Sequence, residues 1–294
     1  MNKSINTKYY VGMVAAMLVW GIAWTVGKVA VEHSNPDVCA FWRYFITFFS
    51  MLPILYILKI PLKTTKLGFV FMLLGGFLTA FFNYFFFTGV SYGQAGYGGT
   101  VVTSLSPIIT YILSIAIFKT DINLRQIIAL CIGAIGAAIL MRIPFDGLAV
   151  FNQSVIYFII CAFLWSIITI VAQKASNTAH PMFYVTGVFG FTMLFNLLFA
   201  MDLTVLNIYA YDSTFWLTIA FTGLVSGTFG MTVYFLSAAK VGAHNTGIFM
   251  FIVPVGAILS SFFIYHESVM PSTLIGCLLA FCAVVLFNTK SKIR

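Results

Sequence analysis

Charge is what this sequence has least of. Asp, Glu, Lys and Arg together make up 7% of its 294 residues, against 61% hydrophobic. Soluble domains carry roughly 25% charged residues, so a wetted surface all round is excluded. The five cysteines form no CxxC pair and no Cys/His cluster with zinc spacing, which excludes those metal and redox motifs. Cys131, Cys161, Cys277 and Cys282 fall inside apolar runs, and Cys39 lies near the start of one, so they read as small hydrophobes. HExxH, GxSxG, a phosphate-cradling glycine loop and paired intramembrane acids are also missing. Enzyme chemistry needs clustered, perturbed groups. The few charges here are scattered, so no catalytic residue, no metal and no cofactor is expected.

What is present is apolar chain. A helical span needs about 20 mostly apolar residues. Charges, Pro/Gly punctuation and polar clusters cut the sequence into ten such spans: 10–31, 38–58, 67–90, 96–118, 124–141, 154–174, 182–201, 214–238, 243–265 and 272–288. The first is too long for a signal-peptide core and lacks a small-residue cleavage site. The fold class expected is an all-α integral membrane protein in which the lipid bilayer is the solvent and little lies outside it.

The basic residues orient these spans. With the N-terminus in the cytoplasm, the cytoplasmic side receives Lys3, Lys8, Lys59, Lys63, Lys66, Lys119, Arg125, Lys174, Lys240, Lys290, Lys292 and Arg294, and the opposite side only Arg142. Lys28 and Arg43 fall within spans. That asymmetry is the positive-inside pattern, and it predicts a multi-pass protein of the cytoplasmic membrane with both termini in the cytoplasm. The net charge of +8 is thereby used up in orientation. It forms no basic face, so no nucleic-acid partner is expected.

The chain also repeats itself. Trp20 matches Trp165 at an offset of 145, and Asn35-Pro36 matches His180-Pro181 at the same offset. Ser106-Pro107-Ile108 matches Val253-Pro254-Val255 at an offset of 147. Each half, 1–147 and 148–294, holds five spans, and an odd number inserts the second half upside down. Inverted repeats of this kind recur in secondary transporters around a midplane site. A channel or a membrane scaffold is the alternative, though charged rings and filter repeats are missing.

Val19-Trp20-Gly21-Ile22-Ala23-Trp24 up to Lys28, then Pro36 and Arg43, resembles the start of EamA-type members of the drug/metabolite transporter superfamily. Pro254 to Glu267 followed by Gly276 resembles the family's pattern after the ninth span. The sequence departs from that pattern at Thr120 and Asp121, where a Glu is expected, and it has no second-half arginine matching Arg43. The resemblance spans both halves. It implies ten helices around a central cavity and alternating-access transport of small metabolites without naming the solute; the basic residues Lys28 and Arg43 favour amino acids or related zwitterionic or anionic solutes. Export is favoured over uptake, the chain acts as a monomer or homodimer, and proton coupling is a further hypothesis.

Seven residues are candidates for binding the solute. Arg43 lies about 8 Å into its span at 1.5 Å per residue, a costly depth for a charge. It reaches the headgroups, pairs with an acid such as Glu267, or holds a substrate carboxylate or phosphate bidentately. Lys28 sits four residues before Glu32, so a local salt bridge competes with a cationic vestibule shared with Arg43. Trp20, Trp24 and Trp165 lie away from the interfacial belts where Trp is enriched, and their indole N–H groups need partners that a cavity would supply. Asn83 and its neighbour Tyr84 complete the set, with interhelical hydrogen bonding as the ordinary fate of such an amide. For coupling or gating, Glu267 and His266 are the titratable candidates. Pro107 and Pro254, at matched positions, are candidate kinks.

Overall fold

Short polar residues and proline set where the helices begin. Asn35 and His180 each stand before a proline that becomes the first helical residue, a position where the missing N–H costs nothing and φ is already helical. Thr65 accepts from Gly68 N at 3.0 Å, Asn152 Oδ1 from Val155 N at 3.1 Å and Asp212 Oδ1 from Phe215 N at 2.8 Å. Each satisfies a backbone donor that the first turn leaves open.

A computed structural model describes residues 3–118, 124–200, 203–241, 249–250 and 252–288. Its helices are α1 (Lys3–Glu32), α2 (Pro36–Ile57), α3 (Lys66–Tyr92), α4 (Ala95–Phe118), α5 (Leu124–Leu140), α6 (Gln153–Ala175) and α7 (Pro181–Phe199). The next, α8, is α-helical over Ser213–Ala220, π-helical over Phe221–Gly230 and α-helical again over Met231–Val241. The last two are α9 (Ile252–Tyr265) and α10 (Pro271–Asn288). Short helical turns cover 143–150, 203–206 and 208–210. Among the described residues no strand forms, apart from an isolated bridge between Thr64 and Ala179.

Seven of these helices are long and apolar enough to cross a membrane: α1, α2, α3, α4, α6, α7 and α8. α5, α9 and the first part of α10 are shorter apolar helices. At 1.5 Å per residue, 14 residues of α9 reach about 21 Å, less than the roughly 30 Å hydrocarbon core. The expected ninth span starts at 243, and 243–248 lie outside the described residues. Outward faces stay apolar, with Ile57, Leu198, Leu217 and Phe263 among the more exposed side chains. That suits lipid rather than water.

Helix contacts pair α5 with α10, α3 with α6 and α7, α1 with α8 and α9, α4 with α6 and α9, and α2 with α7 and α8. Close approach depends on small residues, as membrane interfaces favour. On α1, a side chain at Gly21 would run into the Val253 carbonyl of α9, and a Cβ at Gly256 would sit 2.6 Å from Leu18 O. Where α6 meets α4, Ser166 Oγ donates to Ser106 O at 3.0 Å.

The π-helical stretch of α8 was not foreseeable from hydropathy. A ten-residue π segment is long for a conformation that mostly appears as single-turn bulges. Its carbonyls accept from outside the helix: Trp20 Nε1 donates to Ser226 O at 3.0 Å and Thr47 Oγ1 to Gly223 O at 3.2 Å. Gly223 and Gly227 let α2 lie against it, since a Cβ there would meet Arg43 O at 3.1 Å and Thr47 Oγ1 at 2.5 Å.

Candidate functional site

Arg43 stands two turns into α2, about 10 Å from the helix start. Its guanidinium lies 5.2 Å from the Phe86 ring, 5.6 Å from Tyr44 and 6.0 Å from Phe87. Those three rings are buried while Arg43 is half-buried. The charge therefore stays among aromatic faces, which attract a cation through their quadrupole. Among the described residues no carboxylate lies within ion-pair distance of it. The expected alternative, a pair with Glu267, does not form.

One hydrogen bond holds Arg43: Nη1 donates to Asn83 Oδ1 at 3.4 Å. Asn83 is fully buried, and its Nδ2 donates to Ala40 O at 3.2 Å, where Asn196 Nδ2 also donates at 3.1 Å. Asn83 is thus fixed at both ends, and α2, α3 and α7 are tied at one carbonyl. Asn83 carries its amide inward while Tyr84, one position on, is 43% exposed with its ring against Phe85. The structure brings Asn83 to Arg43 and leaves Tyr84 outside.

The aromatic neighbours extend the site to α1 and α6. Phe82 and Phe86 sit one turn apart on α3 with ring centroids 6.4 Å apart. Trp24 packs edge-on to Phe86 at 4.6 Å, and Trp165 tilts over Phe82 at 5.4 Å. Neither indole N–H finds an acceptor among the described residues. Trp20 differs. Its N–H is committed to the π segment of α8, its ring lies against Tyr234 at 5.4 Å, and it stands apart from the Arg43 group. The two tryptophans matched by the repeat therefore end in different surroundings.

Lys28 and Glu267 meet at the other end of α1. Lys28 Nζ lies 3.5 Å from Glu267 Oε1, with side-chain exposures of 19% and 9%. It also lies 4.6 Å from the Tyr265 ring centroid. The local pair with Glu32 expected from the four-residue spacing gives way to a partner on α9's far end. Glu267 does more than neutralise Lys28. Its Oε1 accepts from Ala95 N and its Oε2 from Gly96 N, both at 3.2 Å. A carboxylate on the first amides of α4 satisfies open donors and the positive end of the helix dipole. His266 beside it is exposed, in the left-handed region at φ 52°. Pro107 lies inside α4, and Pro254 is the third described residue of α9. None of these four reaches Arg43 in a hydrogen bond or ion pair.

Two more polar side-chain pairs lie at this end, both outside the spans. His33 Nδ1 lies 2.7 Å from Asp212 Oδ2. The Asp212 carboxyl is held below the usual carboxylate range, chiefly by the Phe215 N–H it accepts and further by His33. Arg142, at φ 61°, clasps Asp146 with two guanidinium nitrogens and keeps that carboxyl low as well. Sequence reasoning had not paired Glu267 with the start of α4. The charge of a lone acid between α9 and α10 was visible, but its tertiary partner was not.

The EamA-like transporter family model matches residues 7–142 and again residues 152–289. An uncharacterized transporter of Bacillus subtilis (strain 168), YvbV, is 24% identical over 296 residues, covering 94% of this chain and 90% of that protein. The S-adenosylmethionine uptake transporter of Rickettsia conorii (strain ATCC VR-613 / Malish 7) is 25% identical over 251 residues, covering 82% of this chain and 78% of that one. A solved structure superposes with a TM-score of 0.64 over 95% of this chain and 97% of its own at 14% identity, a likeness of fold.

Proposed function

The chain belongs to the EamA-like transporter family, and from that premise we propose that it moves a small zwitterionic or anionic metabolite across the cytoplasmic membrane by alternating access, around a site built on Arg43. The transporter fold in this reading is ten spans arranged as two inverted five-helix repeats, 1–147 and 148–294, with both termini cytoplasmic. Arg43, Asn83, Trp24 and Trp165 form the site. Alternating access serves export and uptake alike, with the solute gradient setting the direction.

The inverted repeat is supported by how the helices pair. Replacing each helix by the one five places along sends the α1–α9 contact onto α6–α4, and α3–α6 onto α8–α1. Individual residues follow. The Gly21 approach to the Val253 carbonyl corresponds, at offsets of 145 and 147, to Ser166 donating to the Ser106 carbonyl. The two separate family matches divide the chain in the same way.

The observation that carries the site assignment is Arg43 itself. A guanidinium two turns into a membrane helix, without a carboxylate partner among the described residues, is costly to keep. A solute carboxylate or phosphate would complete it bidentately. Reconstituted protein is therefore expected to take up a labelled solute saturably, and to do so faster when unlabelled solute is trapped inside. Flux that rises linearly with concentration and ignores trapped solute would point to a channel instead.

A further inference from the structure

Resting on the Arg43 site just proposed, we infer that its solute is an organic acid without an ammonium group, carrying a flat apolar portion: an aryl or heteroaryl carboxylate rather than an amino acid. Hydrogen-bonding capacity around Arg43 is lopsided. The guanidinium has five N–H donors and spends one on Asn83 Oδ1. The indole N–H groups of Trp24 and Trp165, on either side of the Phe82–Phe86 pair, have no acceptor among the described residues. These groups are donors only.

Several backbone carbonyls nearby already accept side-chain donors. Ala40 O receives both Asn83 and Asn196, and Gly223 O receives both Thr47 and Thr228. Ser226 O receives Trp20. Asn196 Oδ1 accepts from none of the described residues, but it is neutral and does not offset a full positive charge. None of the described acids pairs with Arg43 either. Glu32 ends α1, Asp37 lies in the first turn of α2, and Glu267 is held by Lys28 and the start of α4. Asp146 is paired with Arg142 after α5 and Asp212 caps α8, while Asp121 and Asp202 lie outside the described residues.

An unpaired ammonium brought into this interior would lose its hydration and meet a like charge at Arg43, a costly combination. A carboxylate meets the reverse: a guanidinium fork and spare N–H donors. The rest of the solute would lie along Phe82 and Phe86, whose faces suit a flat ring.

Three compounds of one skeleton test this: 3-phenylpropionate, phenylalanine and phenethylamine. Binding is read from thermal stabilisation of the purified protein, and transport from counterflow in proteoliposomes. The expected result is stabilisation by 3-phenylpropionate at concentrations at least about tenfold below phenylalanine, with none by phenethylamine. Arg43→Gln should weaken 3-phenylpropionate by about 30-fold or more, and Arg43→Lys by less, while unliganded unfolding temperatures stay close to wild type. Trp165→Phe, which keeps the ring and loses the N–H, should weaken it several-fold. Phenylalanine or phenethylamine binding as well as 3-phenylpropionate overturns the inference, as does an Arg43→Gln variant that folds and binds unchanged. The transport reading fails separately. Binding of 3-phenylpropionate without counterflow sinks transport and keeps the solute class, whereas counterflow of the amine alone sinks the class and keeps transport.

Discussion

Replacing Glu267 by alanine removes three interactions at once, and their geometry sets the expected size of the loss. The carboxylate accepts from two α4 amides at 3.2 Å each and pairs with Lys28 at 3.5 Å. Hydrogen bonds to a charged group contribute roughly 1.5–3 kcal/mol each, and these distances fall at the long end of the range. Water can reach part of the freed helix end, since Lys28 keeps 19% of its side-chain surface exposed. The net cost is about 2–3 kcal/mol. In a chain of this size that lowers the unfolding midpoint by about 3–5 °C. Thermal unfolding of purified protein in detergent, followed by tryptophan fluorescence, reads it. Coupling gives a sharper test. Lys28→Met should cost less in the Glu267→Gln background than in wild type, because the charge it neutralised is gone. A Glu267→Ala variant melting within about 1 °C of wild type would refute the reasoning. So would strictly additive effects of the Lys28 and Glu267 changes.

Three further outcomes follow from single contacts. Gly21→Ala pushes a methyl into the Val253 carbonyl and should cost about 3 kcal/mol by overpacking, read as a sharp loss of monodisperse protein on size-exclusion chromatography. Trp20→Phe leaves Ser226 O without its donor and should destabilise by about 1–2 kcal/mol, with Trp20→His, which retains a ring N–H, intermediate in thermal unfolding. The Asp212 carboxyl titrates below its usual range in the folded protein. Its contribution is therefore complete above the unfolded-state value of about 4 and is lost as pH falls below that, through the lower folded value. Unfolding midpoints from pH 6 to pH 3 should fall, and Asp212→Asn should start lower and fall less. Parallel curves for the two proteins would contradict the assignment.

Helix positions were legible in the sequence because charge and proline mark the ends of apolar runs. The span expected over 38–58 is α2 at Pro36–Ile57, and the one over 182–201 is α7 at Pro181–Phe199. Depth was legible too, and singled out Arg43. Faces were not. α3 is apolar on every side, so no amphipathic stripe told Asn83, which is buried, from Tyr84, which is exposed. Partner choice also escaped. Spacing offered Lys28 its neighbour Glu32, but packing offered Glu267, 239 residues away, together with a helix end to cap. The π segment of α8 is a matter of backbone register, which hydropathy does not report. Gly223, Gly227 and Gly230 within it give α1 and α2 their close approach.

The most direct test of alternating access at the Arg43 site is two-sided accessibility. Trp165→Cys, in a variant whose five native cysteines are replaced, places one thiol beside Phe82. A membrane-impermeant maleimide is applied to oriented vesicles from one face and then the other, with and without a bound solute. The account predicts labelling from both faces, with the ratio shifting when solute is added to one side. Labelling confined to the same face under every condition would contradict it.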